Sequence, residues 1–368
     1  MLKTISIWVI VFVFLLGTIN LSSAVLLRMD IWDDEGVDHR AALPNYPDKA
    51  HATLVLEEYA TTQGRLDYEP FVEWKRMPFE GETVTVGGDG DRVDDVPDPT
   101  DPSAKSVHFF GGSTMWGTGA DDNGTIPAIY ARMNPDRRIF NHGETAYVSR
   151  QGLERLIALI GEGASMDVAI SYDGANDIAV LCRDDTSLGG HAKEADFTGT
   201  LLGSKEVSFR EAISKLLFSE TKDLIDRLVR EDEDQHGGDE DIYFCDNDPR
   251  GAQAVAKTLL GHWQRARDLS KAEGIEFFGV LQPVALFGSP RVDHLAHLSS
   301  GHMNPALEPQ FAAVYPYLKD EIARSGKPWM LDLSEAFDGS QQLFIDWCHV
   351  TSEGNDIIAA AIDELLDP

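Results

Sequence analysis

Five residues of this chain are of types that together could activate a hydroxyl and stabilise the charge that follows: Ser113, Asp346 and His349, with Gly143 and Asn176. A serine hydroxyl is a weak nucleophile until a neighbouring base takes its proton. Ser113 ends the run Val107-His108-Phe109-Phe110-Gly111-Gly112-Ser113-Thr114, which reads as a buried parallel strand breaking into a tight turn. α/β folds place their chemistry at that end of a strand. Asp346 stands three residues before His349, so its carboxylate can fold back onto one ring nitrogen, fix the tautomer and leave the other nitrogen as a base. Thr351 or Ser352 then caps a helix running through Ile357, Ile358 and Leu365. Asn176, in Tyr172-Asp173-Gly174-Ala175-Asn176-Asp177, offers an amide donor to developing negative charge, and Gly143, in Phe140-Asn141-His142-Gly143-Glu144-Thr145, a backbone N–H. Each alone is an ordinary turn residue. Their shared position at strand ends is what makes them a set.

The elements that must position them follow from hydrophobic periodicity. Strands are predicted at 107–110, 138–141, 167–172, 275–281 and 329–333, with helices at 126–133, 151–161, 249–272 and 306–325 between and after them. Alternation of this kind implies right-handed β-α-β units: an α/β fold with a mostly parallel sheet covered by helices on both faces. Residues 183–245 interrupt the rhythm as an acidic insertion; Ile213, Leu216, Leu217, Leu224, Ile225 and Leu228 give its 209–229 stretch the pattern of a helix packing on the domain. Residues 28–104 read as an irregular extension holding one short hairpin near 82–90, and Val96-Pro97-Asp98-Pro99-Thr100-Asp101-Pro102 reads as a linker. Trp116, Tyr147 and Trp347 lie beside the chemical residues in sequence and are candidates either for lining a pocket or for the core.

Taken in order, Gly-Gly-Ser-Thr, Asn-x-Gly, Gly-x-Asn-Asp and Asp-x-x-His, the motifs resemble the four blocks of the SGNH (GDSL-like) hydrolases over about residues 105–365. The resemblance implies Ser113 as nucleophile, His349 as base and then acid, Asp346 as its orienting carboxylate, and an oxyanion hole from the Ser113 N–H, the Gly143 N–H and the Asn176 amide. It implies a catalytic domain over 105–368 of three layers, α/β/α, with a flavodoxin-like, mostly parallel sheet, that needs no cofactor and no metal. The chain departs from the pattern at Gly112, where the family usually has an aspartate. The implied activity is an exported serine esterase acting on a small-molecule or glycan acyl ester, such as an O-acetyl ester. The alternatives are an O-acyltransferase using the same triad on a glycan, and a catalytically inactive carbohydrate-binding domain.

Bulk properties narrow the partners. With 62 Asp and Glu against 31 Lys and Arg the formal net charge is −31, which argues against nucleic acid and against anionic membrane surfaces. The acidic loops lack the ligand spacing of a calcium loop. Lys3 followed by the apolar residues 5–17 and the small residues Ser22-Ser23-Ala24 resembles an export signal; apolar character resumes at 25–27, so residues 1–27 serve as a signal peptide or as an uncleaved anchor helix, the 5–27 stretch being the expected membrane contact. The expected location is periplasmic or extracellular. Cys182, Cys245 and Cys348 allow one disulfide, and the pair expected is Cys245 with Cys348.

Overall fold

The computed structural model describes residues 18, 38–203, 242–339 and 341–366. The expectations for residues 1–27 and for the 209–229 helix lie outside the described residues, apart from Thr18. Among the described residues no helix is long and apolar enough to cross a membrane. The chain divides into two compact units, one of Met1–Val37 with Lys193–Asp241, the other of Asp38–Ala192 with Ile242–Pro368. In chain order the elements are α1 (Lys49–Gln63), β1 (Leu66–Glu69), β2 (Glu73–Arg76), β3 (Phe79–Glu80), β4 (Thr85–Val86), β5 (Ser106–Gly111), α2 (Ser113–Trp116), α3 (Ile126–Met133), β6 (Arg138–Gly143), α4 (Ser149–Gly161), β7 (Val168–Asp173), α5 (Ala175–Leu181), α6 (Glu194–Gly203), α7 (Pro249–Glu273), β8 (Glu276–Leu281), α8 (Leu307–Ser325), β9 (Met330–Asp332) and α9 (Ser352–Leu366). Of these, α6 belongs to the first unit and the others to the second.

All five expected strands form one parallel sheet in the order β6-β5-β7-β8-β9. Every residue of β5 and β7 is buried, as a parallel strand covered on both faces requires. Alternate side chains feed two cores. Phe110 and Ala169 join α4, α7 and α8 through Leu153, Leu156, Trp263 and Phe311, while Val107, Phe109 and Ile170 join α3 and α9 through Ile129, Tyr130, Ile358 and Ile362. Successive strands turn from β6 on one side of β5 to β7 on the other, and the crevice at such a reversal is where α/β sheets bind ligands.

Residues 38–104 are more ordered than the sequence pattern suggests. They form a 3-10 turn (His39–Ala42), the 15-residue α1 and two hairpins, all in the same compact unit as the sheet. The expected hairpin near 82–90 is present, with Arg92 antiparallel to Val86 across Gly87-Gly88-Asp89-Gly90, and a further turn at 81–84 precedes it, with Phe79 opposite Val86. The cause is Glu58, whose carboxylate accepts the N–H groups of Glu82, Thr83 and Val84 at 2.8, 2.9 and 3.0 Å and ties them into a turn. Tyr59 of α1 and Val84 and Val86 pack with Trp116 of α2.

The disulfide corrects the expected pairing: Cys182 is bonded to Cys245, with Cα atoms 5.3 Å apart, and Cys348 is a buried free thiol. Arg183 and Tyr243 form an antiparallel bridge that brings the two ends of the insertion together, so their neighbours Cys182 and Cys245 meet. Cys348 instead lies against the His349 ring, 3.6 Å from Nδ1. Disulfides such as Cys182 to Cys245 form and persist mainly in oxidising compartments.

Two buried carboxyls brace the ends of β7 and α5. Asp173 accepts hydrogen bonds from the Ser171 hydroxyl and, at 2.7 Å, from Trp263 Nε1; Asp177 accepts the Ser149 N–H at 3.1 Å. Burial pushes both carboxyls above the usual range, and the charge of Asp173 pushes Asp177 further. The neutral forms therefore suit the fold.

Two outcomes are expected. Peptide mapping without reduction should recover Cys182 joined to Cys245, with Cys348 alkylated only after denaturation; a peptide linking Cys348 to either partner would contradict the structure. Because a raised carboxyl contributes stability that is fully present below about pH 4 and lost as pH rises through its folded value of about 6, Asp173→Asn should flatten the fall in urea-unfolding free energy between pH 4 and 7 by about 1–3 kcal/mol. An unchanged pH slope in the variant would count against this role.

Candidate active site

The turn after β5 sets the nucleophile candidate. Gly112 caps a single helical turn, Ser113 is its first residue, and Gly117 ends it in a left-handed conformation with φ 96°. Ser113 N–H, as an orphan donor of a helix start, makes no hydrogen bond among the described residues. The Ser113 hydroxyl donates to His349 Nε2 at 2.7 Å, and His349 Nδ1 donates to Asp346 Oδ2 at 2.7 Å. A carboxylate only accepts, so the Nδ1 proton faces Asp346 and leaves the Nε2 lone pair for Ser113. Ser113 and Asp346 are buried, and His349 is partly exposed.

Asp346 is the most heavily bonded group of the site. Its Oδ1 accepts the N–H groups of Cys348 at 3.0 Å and of His349 at 2.8 Å, folding the 346–349 loop around the carboxylate. Its Oδ2 accepts, besides His349, Nη1 of Arg40 at 2.6 Å. Burial alone would raise this carboxyl; the charges of His349 and Arg40 and these hydrogen bonds outweigh it and hold Asp346 well below the usual carboxylate range. Arg40 lies 306 positions away in a region read from sequence as irregular, so sequence spacing gave no sign of it.

Asn176, the second residue of α5, donates from Nδ2 to Tyr147 O at 2.9 Å and keeps its other N–H. Its amide nitrogen lies over Gly112 so closely that a Cβ there would collide with it. The amide of Asn176 fills the space that a side chain at position 112 would need.

Gly143 does not serve as expected. Its N–H is already given to Asn141 Oδ1 at 3.1 Å, and a Cβ at 143 would collide with the backbone of Met115 and Trp116. It is a packing glycine that lets β6 approach α2. Three residues on, Ala146 adopts φ 64°, rare for a residue with a Cβ, and its N–H makes no hydrogen bond among the described residues. The loop bearing it is fixed by Glu144, whose Oε1 accepts Arg76 Nε at 3.0 Å, and by Tyr147, whose carbonyl receives Asn176. Nothing in the residue type marked Ala146, since the position favours glycine and holds alanine.

Among the aromatic candidates, Trp116 is fully buried between the guanidinium groups of Arg76 and Arg92, 4.0 and 4.3 Å from its ring, and Tyr147 is buried beside Trp74. Both are core residues. Trp347 is half-buried against Phe311. A cavity of about 260 Å³ bounded by Asp94, Pro97, Arg137, Phe140 and Asn141 includes none of Ser113, Asn176, Asp346 or His349. Ligand atoms of Asp346, Cys348 and His349 lie within 4.8 Å of one another, as a metal site would need, but the Arg40 cation occupies Asp346 Oδ2 and Ser113 occupies His349 Nε2.

No protein-family model and no curated protein matches the chain. It is similar to several solved structures. One is a member of the lipolytic protein G-D-S-L family from Veillonella parvula, at 14% identity over 71% of this chain and 97% of that one, with a TM-score of 0.38. Another is Est24, a carbohydrate acetylesterase from Sinorhizobium meliloti, at 14% identity over 72% and 98%, with a TM-score of 0.36. A third is the aryl esterase of M. smegmatis, at 12% identity over 72% and 99%, with a TM-score of 0.38. With scores this low the reading of the site rests on its own distances.

Proposed function

We propose that the protein is a serine esterase of the SGNH kind, acting on an acyl ester such as an O-acetyl ester. The observation that carries this reading is the unbroken chain from Asp346 through His349 to the Ser113 hydroxyl, with both links at 2.7 Å. Such a chain lets the hydroxyl lose its proton as it attacks.

In this reading Ser113 Oγ bonds to the ester carbonyl carbon while His349 Nε2 takes its proton. The carbonyl oxygen becomes an oxyanion, met by the Ser113 N–H, the second N–H of Asn176 and the Ala146 N–H, which replaces Gly143 in the set. Each donor of this kind lowers the barrier by about 3 kcal/mol. The C–O bond breaks, the alcohol leaves with the proton from His349, and the acyl group stays on Ser113. Water, deprotonated by His349, then adds to the acyl carbon; the Ser113 Oγ–C bond breaks, Oγ takes the proton back from His349, and the acid leaves. Asp346 keeps its negative charge throughout and stabilises the imidazolium. Transfer to a sugar hydroxyl would proceed through the same acyl-enzyme with the acceptor in place of water. The disulfide supports a location outside the cytoplasm, and the apolar 5–27 stretch supports export as the route.

Wild type should hydrolyse p-nitrophenyl acetate or an acetylated sugar, and Ser113→Ala should lose at least about 10³-fold in kcat with the fold intact. Equal rates for the two proteins, or inertness of wild type towards every short-chain ester and acetylated glycan offered, would overturn the reading; acetylated glycan accumulating at the expense of free acetate would identify a transferase. Gly112→Ala, which displaces the Asn176 amide, should lower kcat about 10²-fold while circular dichroism stays unchanged. Full activity in that variant would remove Asn176 from the oxyanion hole.

A further inference from the structure

Arg40 enters the site from a segment distant in sequence, and it is built in rather than incidental. Its side chain is 7% exposed and Asp346's is 3%. Nη1 donates to Asp346 Oδ2 at 2.6 Å; Nη2 donates to Asp38 Oδ2 at 2.7 Å, and Nε to Asp38 Oδ1 at 3.0 Å. Asp38 also accepts the Arg40 N–H at 3.0 Å and caps the 3-10 turn, so the guanidinium is held from both sides. On the other side, Asn45 Nδ2 donates to Phe344 O at 2.9 Å, which fixes the stretch just after the 3-10 turn to the residues leading into the 346–349 loop.

A bidentate guanidinium fork is rigid and permanently charged. Its positive charge stands next to the oxygen that receives the His349 Nδ1 proton, and so opposes a second positive charge on the ring. Asp38 opposes Arg40 in turn. The other groups facing this cluster are Tyr46, Tyr59, His302, whose carbonyl accepts the Trp347 N–H, and the Cys348 thiol. Without Arg40, Asp346 would be a buried carboxylate whose pull on the ring proton was unopposed.

We propose that Arg40 is a positioning residue of the site: through Asp346 it fixes the His349 ring and offsets the carboxylate charge, so that Nε2 faces the Ser113 hydroxyl and can accept its proton. The role rests on the esterase reading for its use in catalysis, but its electrostatic content stands apart from activity. Asp38 is the counterweight that sets how strongly the cation acts.

The test is the proton-NMR titration of the His349 ring in full-length wild type, Arg40→Gln, Arg40→Lys and Asp38→Asn. The midpoint should rise in Arg40→Gln by roughly 0.5–1 pH unit, return towards wild type in Arg40→Lys, and fall in Asp38→Asn. The acid limb of kcat/KM should move in the same directions. A purely structural arginine would move neither midpoint, and folded variants with wild-type titrations overturn the proposal. Should Arg40→Gln fail to fold, Asp38→Asn decides alone: a lowered midpoint supports the role and an unmoved one ends it. Titrations that shift as stated in a protein without Ser113-dependent hydrolysis would uphold the Arg40 role and sink the esterase reading instead.

Discussion

A carboxylate taken out of water must be surrounded by donors or it will not stay charged, and Asp346 is surrounded by four. Two are backbone N–H groups of its own loop, one is the His349 ring and one is Arg40. Removing a partner from a buried pair of this kind typically costs about 3–5 kcal/mol, because the remaining charge is stranded. The interaction therefore does two things at once. It closes the 346–349 loop so that His349 faces Ser113, and it ties the segment before α1 to the carboxyl-terminal part of the chain. The local shape of the site thus depends on these four bonds, and one of them, from Arg40, is also among the contacts that attach the 38–104 region.

The remaining constraint is steric. Parallel strands β5, β6 and β7 end side by side, with Gly111 opposite both Gly143 and Tyr172, so their loops crowd into one crevice. Two positions without a Cβ make that crowding possible. Gly112 admits the Asn176 amide beside the serine, and Gly143 lets β6 approach the backbone of the nucleophile's helix. Asp177 and Glu144 then hold the loops from behind, through Ser149 and Arg76. Ala146, in a left-handed conformation that costs of order 1 kcal/mol or more for a residue with a Cβ, is kept there by that surrounding framework.

The sheet was legible in the sequence because its strands are continuous apolar runs broken by Gly, Asn and Asp, and length and position separate them from the helices. Ser113, Asp346 and His349 could be singled out for a related reason: chemistry at strand ends needs particular side chains, and side chains are what a sequence displays. Donors from the backbone are not displayed. Gly143 and Ala146 differ in where their N–H groups point, which is set by φ and by the Asn141 side chain. Arg40 was invisible because its partner is brought near only by the fold. The Cys182 to Cys245 bond was missed for the same kind of reason, since it follows from the Arg183 to Tyr243 bridge closing the insertion rather than from any spacing. The extra turn between β3 and β4 was missed likewise, since it rests on a long-range contact from Glu58.

The central claim is that the Asp346–His349 pair activates Ser113 above every other serine of the chain. Phosphonylation by a small fluorophosphonate, followed by peptide mass spectrometry, measures this directly. The account expects one adduct per chain, on Ser113, formed by wild type and lost in His349→Ala. An unlabelled Ser113, or labelling equally fast without the His349 ring, would contradict it.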